Sequence, residues 1–146
     1  MIKKDLSRFE RQLCDIQGRL FERSRSKGLA STAFIQAFMT SQTCAFLDMS
    51  YDRLQWAGEE YILENLLEEV LIETGEEQYA KETLFWIGYT YRYWHLLTDE
   101  SSREIYLQAD AKKMNECYLG FHTMDVVMAI ENLKEIYRQE NKGTGA

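Results

Sequence analysis

Hydrophobic residues recur every three or four positions along most of the chain, which is the spacing of amphipathic α-helices. From Ile2 to Leu20 this spacing alternates strictly between four and three, as it does along the seam of a coiled coil, and the seam is lost in the continuation to Gly28. We therefore predict an amphipathic N-terminal helix, residues 1–28, with Gly28 at its C-terminal end. Its seam could be buried on the same chain, on a second copy or on a different partner. The seam consists of Ile2, Leu6, Phe9, Leu13, Ile16 and Leu20.

The remaining elements are also predicted to be helices, because no segment shows the period of two that is typical of strands. A third helix is expected over 53–73, with Tyr61 among its inward positions and Gly75 after its end. We predict an all-α single domain of about six to seven helices, with a bundle over 29–140 and a disordered tail over 141–146. The helix starts are assigned from the caps Ser31, Asp52, Ser101 with Glu104 as a capping box, and Asp125.

The segment LFWIGYTYRYWHLL, residues 84–97, holds six aromatic rings between Phe85 and His95. A helix that is apolar on every side is usually buried, so this segment is predicted to be the central helix of the bundle. Gly88 would let a neighbouring helix approach it closely.

Arg92 and His95 do not fit a purely apolar helix. A buried guanidinium needs a carboxylate, and Glu59 or Glu60 of the preceding helix could supply it. Alternatively, these groups open into one polar pocket with aromatic walls. The sequence leaves both interpretations open. The candidate pocket residues are Arg53, Trp56, Glu59, Glu60, Arg92 and His95.

Catalytic motifs are missing from the sequence. Neither His95 nor His122 follows a glutamate by three residues, as a di-iron bundle requires, and no zinc-protease, hydrolase-elbow or phosphate-loop motif occurs. We therefore predict no catalytic residue, metal or cofactor, and favour a binding protein over an enzyme. The three cysteines form no CxxC pair, no apolar run approaches the roughly 18 residues of a membrane span, and no secretory signal precedes the first helix. The chain is expected to be cytoplasmic.

Charge is unevenly distributed in this acidic chain, whose net charge is −7. Residues 1–28 hold eight Lys and Arg against four Asp and Glu, whereas 48–77 holds ten acidic residues and one arginine. Such a chain is a poor general nucleic-acid binder and suits a basic partner better. Glu60, Glu64 and Glu68 recur on one side of the third helix and are the predicted partner-binding residues.

Four blocks resemble an uncharacterised family of small all-helical proteins from Firmicutes, which carries "WAGEEY" and "YRYWHxLTxESSxEIY" motifs. The blocks are FMTSQTCAFLD, YDRLQWAGEEYILENL, FWIGYTYRYWHLLTDESSREIY and FHTMDVVMAIENLK, within residues 34–136. The resemblance implies a bacterial toxin–antitoxin setting with ADP-ribosyltransferase-like neighbours, but it implies no catalytic residue.

The sequence thus favours a protein-binding module, an antitoxin or accessory partner that occludes a basic cleft on a small toxin. Two alternatives stay open. One is a small-molecule enzyme or sensor that uses the candidate pocket. The other is a DNA-binding regulator that uses the basic N-terminal helix, which the overall negative charge disfavours.

Overall fold

The computed structural model describes residues 5–144, which form eight α-helices and one short 3₁₀ turn, Arg53–Trp56. The predicted all-α fold is confirmed, but the predicted count of six to seven helices is too low. Gln42–Asp48 forms a helix of its own, because the side chain of Ser41 accepts a hydrogen bond from Cys44 N and starts a new turn. The helices are α1 (Arg8–Ser26), α2 (Ser31–Met39), α3 (Gln42–Asp48), α4 (Glu59–Glu69), α5 (Lys81–Thr98), α6 (Ser102–Gln108), α7 (Ala111–Phe121) and α8 (Val126–Thr144).

Helix α5 is the central element of the bundle, as its apolar pattern predicts. Tyr91 and Trp94 are fully buried, and α1, α6, α7 and α8 all contact the helix. The closest approach is at Gly88, where an added Cβ would lie 2.5 Å from the carbonyl oxygen of Gln17 and 2.8 Å from Cγ of Phe21. Only glycine fits there, so the backbones of α1 and α5 can pack directly against each other.

The seam of the N-terminal helix is buried on its own bundle. Leu6, Leu13 and Leu20 are buried, whereas Phe9 and Ile16 are half-buried, and α1 packs along α5. Ile2, the first predicted seam position, lies outside the described residues. A homodimer through these seam residues would therefore require α1 to leave α5.

The predicted third helix, 53–73, is interrupted and ends early. Gly58 has a φ of 83°, which lies in the left-handed region and cannot continue a helix, so the 3₁₀ turn and α4 are separate. After Glu69 the backbone becomes extended and pairs with the segment between α1 and α2. Ala30 N donates to the carbonyl oxygen of Glu73 at 2.9 Å, and Gly75 N donates to that of Gly28 at 3.2 Å. These backbone bonds replace the ones that a longer helix would have made.

Two helix starts are capped by carboxylates that are distant in sequence. The predicted cap of α2, Ser31, is instead its first residue, and Glu77 accepts hydrogen bonds from the backbone N–H and the hydroxyl of Thr32. Glu69 accepts hydrogen bonds from the backbone N–H groups of Gln42 and Thr43 at the start of α3. Both carboxylates complement the partial positive charge of a helix N-terminus.

Within residues 5–144, the first and the last helix have boundaries that differ from the predicted ones. Helix α1 begins at Arg8, because Ser7 and Glu10 form a capping box, so residues 5–7 of the predicted 1–28 helix are not helical. Helix α8 continues to Thr144, four residues into the predicted 141–146 tail, and 145–146 lie outside the described residues. The helix meets no glycine or proline until Gly143, and Lys142 carries a favourable positive charge near its C-terminal end.

Candidate functional site

Arg92 of α5 lies at the centre of a buried polar cluster. Its side chain has no solvent exposure, and its guanidinium donates to groups on two other helices. Nη1 lies 2.6 Å from Oδ1 of Asp48, Nε lies 2.8 Å from Oε1 of Gln17, and Nη2 lies 3.6 Å from Sγ of Cys44. Arg92 thus pairs with a carboxylate, as expected, but the carboxylate is that of Asp48 and not that of Glu59 or Glu60. We call Arg92, Asp48, Gln17, Cys44, His95 and Ser102 the Arg92 cluster.

Asp48, the last residue of α3, also holds the start of α6. Its Oδ2 accepts a hydrogen bond from Ser102 N at 2.8 Å, and its Oδ1 accepts one from the Ser102 hydroxyl at 2.7 Å. Burial alone would raise the pKa of the Asp48 carboxyl, but Arg92, His95 and the Ser102 hydrogen bonds outweigh it and hold the pKa below its usual value. The carboxylate is therefore ionised at neutral pH.

His95 is fixed between two backbone carbonyl groups. Nδ1 lies 2.6 Å from the carbonyl oxygen of Glu100, and Nε2 lies 3.0 Å from that of Asp48. A carbonyl oxygen only accepts, so a neutral imidazole can donate to one of these oxygens, whereas an imidazolium can donate to both. Oδ1 of Asp48 lies 3.9 Å from Nδ1 of the ring. In either state the ring ties the end of α3 to the turn between α5 and α6.

The two thiols around Arg92, Cys14 and Cys44, are buried. Burial raises the pKa of Cys44 to about 12 and that of Cys14 to about 12, against the opposing effect of the Arg92 charge. Both thiols are protonated at neutral pH, and the guanidinium has no solvent contact. The Arg92 cluster therefore joins helices and does not present reactive groups to a solute.

The six candidate pocket residues are not brought together. Arg92 and His95 lie inside the bundle, whereas Arg53 is exposed on the 3₁₀ turn. Trp56, which ends that turn, is 62% exposed and stacks on Phe9 with ring centroids 5.1 Å apart. No shared polar pocket thus connects these four predicted residues.

Glu59 and Glu60, the other two, lie at the start of α4 and pair with arginines of α1. Oε1 of Glu59 lies 3.2 Å from Nε of Arg19, and Oε1 of Glu60 lies 2.7 Å from Nη2 of Arg23. The repeated glutamates of this helix need a cationic neighbour, and α1 supplies it at these two positions. Of the predicted partner-binding residues, Glu60 is therefore already paired within the chain.

Glu64 and Glu68 are different, because neither makes an ion pair or a side-chain hydrogen bond with any residue in 5–144. Both are exposed on α4, where Tyr61 and Leu67 are also exposed. Leu71, which follows the helix, is 99% exposed. Positions 61, 64 and 68 share one side of a helix, and Leu67 flanks them. We call the surface formed by these side chains the acidic face of α4; it consists of Tyr61, Glu64, Leu67, Glu68 and Leu71. In this face two unpaired carboxylates lie among three exposed apolar or aromatic side chains.

The most important residue that sequence reasoning missed is Asp48. Its partners Arg92 and Ser102 are 44 and 54 positions away in the sequence, so no local pattern of residues indicates that they pair with Asp48. The available signal was a single carboxylate at the end of the apolar run CAFLD, in a chain whose aromatic segment 84–97 contains one arginine that requires a carboxylate when buried. The capping box of Ser7 and Glu10 was also missed, although its spacing is visible in the sequence.

Comparison with known protein families, with curated proteins and with solved structures gives no match to this chain. Within residues 5–144, no helix is long and apolar enough to cross a membrane. The same residues include no group of three or more His, Cys, Asp or Glu side chains that could hold a metal ion. The family resemblance drawn from the sequence stays a prediction.

Proposed function

We propose that this chain is a cytoplasmic protein-binding module whose acidic face of α4 contacts a cationic surface on its partner. The observation that carries the proposal is the combination of Glu64 and Glu68, unpaired within 5–144, with the exposed side chains of Leu67 and Leu71. Large exposed apolar side chains beside unpaired charges are typical of interaction surfaces.

Charge complementarity identifies the chemistry of the partner. The arginines of α1 pair with Glu59 and Glu60. Arg23 and Lys27 line the same pocket as Glu64, but within the described residues neither Glu64 nor Glu68 forms an ion pair. Lysine or arginine side chains of a partner would pair with these carboxylates and speed association through long-range attraction. Burial of Leu71 and its apolar neighbours would then slow dissociation, because it removes apolar surface from water.

The family resemblance supports a narrower form of the proposal. In that form the chain is an antitoxin or accessory protein, and its acidic face covers the basic, phosphate-binding cleft of a small toxin. Inhibition would result from occlusion and would need no catalytic residue in this chain.

The two alternative functions have less support. Arg19 and Arg23 of α1 are paired with glutamates, and Arg25 donates to the carbonyl oxygen of Tyr79, so less cationic surface is free for nucleic-acid phosphates. An enzyme or sensor built on Arg53 and Arg92 would need a shared pocket, and these two side chains lie apart.

The test is quantitative affinity capture from the native cell, with the wild-type chain and a Glu64→Lys/Glu68→Lys variant as baits. A variant with the same change of charge elsewhere, Glu116→Lys/Glu131→Lys, serves as the control, because both residues are exposed on other helices. We expect the partner to be retained by the wild type and by the control and to be lost from the α4 variant. Equal retention by all three baits would contradict the proposal.

A further inference from the structure

A groove runs between helix α2 and the extended segment that follows α4. Its volume is about 640 Å³. One wall is a side of α2 on which the small residues Ala33 and Ala37 lie one turn apart. The other wall is the segment 71–73, and Glu77 lies at the end of the groove where α2 begins. The small side chains of α2 leave room for another chain between the two walls.

The segment that forms the second wall has the backbone of a β-strand. Val70 has a φ of −142° and a ψ of 140°, and Thr74 forms an isolated antiparallel bridge with the residues before α2. Leu71 is 99% exposed whereas Ile72 is 8% exposed, which is the alternation of an extended chain on the surface of a core. Leu71 and the exposed Glu73 therefore lie on the same, outward side of this strand.

Backbone hydrogen bonds are missing where this strand borders the groove. The carbonyl oxygen of Glu73 accepts a hydrogen bond from Ala30 N at 2.9 Å. By contrast, the N–H and C=O groups of Leu71 and Ile72 have no hydrogen-bond partner within the described residues. An extended stretch with unpaired backbone groups is the template to which a further strand can add.

The groove is acidic at the end where α2 begins. Glu73 makes no ion pair or side-chain hydrogen bond within the part of the chain that the structure describes, and Glu77 adds a second carboxylate. Both walls belong to residues 28–80, in which the sequence holds ten acidic residues and one basic residue. At the opposite end of α2, a helix of nine residues and thus roughly 13 Å long, Arg103 donates to the carbonyl oxygen of Thr40. A cationic side chain would therefore be attracted to the end that holds Glu73.

We propose that this groove binds an extended, basic segment of a partner protein. This binding mode rests on the proposed function, because Leu71 belongs both to the groove and to the acidic face of α4. The segment pairs its backbone with that of Leu71 and Ile72 as an added strand. Side chains of adjacent strands lie side by side, so the segment carries an apolar residue beside Leu71 and a lysine or arginine two positions away, beside Glu73.

The test is an NMR titration of the full-length chain with a capped synthetic peptide of the sequence Thr-Lys-Thr-Leu-Thr-Lys-Thr. A lysine stands two positions before the leucine and another two positions after it. Either strand direction therefore places a lysine beside Glu73 when the leucine lies beside Leu71. We expect saturable shifts of the backbone amides of Leu71, Ile72 and Ala33. A peptide with glutamate in place of both lysines should bind at least about fivefold more weakly.

A second control peptide separates strand pairing from charge attraction. It has the sequence of the basic peptide but carries N-methyl groups on its three central residues. The methyl groups remove the backbone donors and leave both positive charges in place. Binding of this peptide should be weaker by about tenfold or more, because it cannot form the hydrogen bonds of an added strand.

Matched variants of the chain locate the binding site. Glu73→Lys reverses the charge in the groove and should weaken binding of the basic peptide at least about fivefold. Glu76→Lys makes the same change at an exposed residue that does not line the groove, so binding should change by less than about twofold. Glu64→Lys/Glu68→Lys should also leave peptide binding nearly unchanged, because neither residue lines the groove.

The inference is overturned if the basic peptide gives no saturable shift at millimolar concentration, if the N-methylated peptide binds as tightly, or if Glu73→Lys binds normally. Its failure differs from that of the proposed function. Loss of the captured partner from the Glu64→Lys/Glu68→Lys bait, without peptide binding to the wild type, refutes the groove alone. Retention of the partner by that bait, with normal peptide binding, refutes the acidic face of α4 and supports the groove.

Discussion

Replacement of Asp48 by alanine should be one of the most destabilising single changes in this chain. It leaves the Arg92 guanidinium, whose side chain is fully buried, without its carboxylate at 2.6 Å, and it removes both hydrogen bonds to Ser102. Breaking a buried ion pair from one side costs about 3–5 kcal/mol, and loss of a helix cap costs about 1 kcal/mol more. We expect a loss of about 4–6 kcal/mol, which is a large part of the 5–15 kcal/mol that is usual for a domain.

Urea unfolding followed by far-UV circular dichroism measures this loss. The matched comparison is Asp48→Ala/Arg92→Met, in which the unpaired buried charge is also removed. Because much of the cost comes from that charge, the double variant should be more stable than Asp48→Ala by at least about 2 kcal/mol. A loss below about 1 kcal/mol for Asp48→Ala, or additive effects in the double variant, would refute the pairing as a determinant of stability.

The same residue makes stability depend on pH with a definite sign. The pKa of the Asp48 carboxyl is lower in the folded chain than in the unfolded chain, because its cationic and hydrogen-bonding partners outweigh its burial. Its contribution is therefore complete above the ordinary carboxyl pKa near 4 and is lost as pH falls through the lower folded value. Asp48→Asn should weaken this acid-dependent loss of stability.

Three further predictions concern other parts of the bundle. Trp94→Ala should lower the free energy of unfolding by about 3–5 kcal/mol, since a fully buried indole is lost, and an unchanged melting temperature would contradict the core assignment. Gly88→Ala should cost about 1–3 kcal/mol in a urea titration, because its Cβ would overlap the backbone oxygen of Gln17. Burial alone would raise the pKa of Glu100, but the hydrogen bond from Lys134 and its other bonds lower it to about 2. The associated stability is complete above about pH 4.5 and is lost as pH falls from there through about 2. Glu100→Gln should therefore cost about 2 kcal/mol at neutral pH, allowing for partial exposure, and little near pH 2 in a urea titration.

Local features of the fold could be predicted from the sequence. The capping box of Ser101 and Glu104 begins α6, and Asp125 accepts a hydrogen bond from Val127 N at the start of α8, as their spacing indicates. Such caps involve residues within one turn, so a short window contains all the information. Apolar and aromatic residues occur on every side of α5. This pattern predicts that the helix is buried, because no side is suited to contact with water.

Pairings between distant residues could not be predicted. Glu77 caps α2 from 45 positions away, and Asp48 reaches Arg92 only because the fold brings the end of α3 close to α5. Each carboxylate had several candidate partners of similar chemistry, and only the packing of the helices selects one. Arg92 of α5 was correctly expected to pair with a carboxylate. Glu59 is not that carboxylate, because it forms an ion pair with Arg19.

The most direct test of the binding function is the association rate of this chain with its captured partner as a function of ionic strength. Glu64→Gln/Glu68→Gln should slow association at low salt about fivefold or more and flatten its salt dependence, while Glu116→Gln/Glu131→Gln should leave both unchanged. Helicity should stay the same, since all four residues are exposed. Equal association rates for the wild type and the α4 variant at low salt would contradict the acidic face as the binding surface.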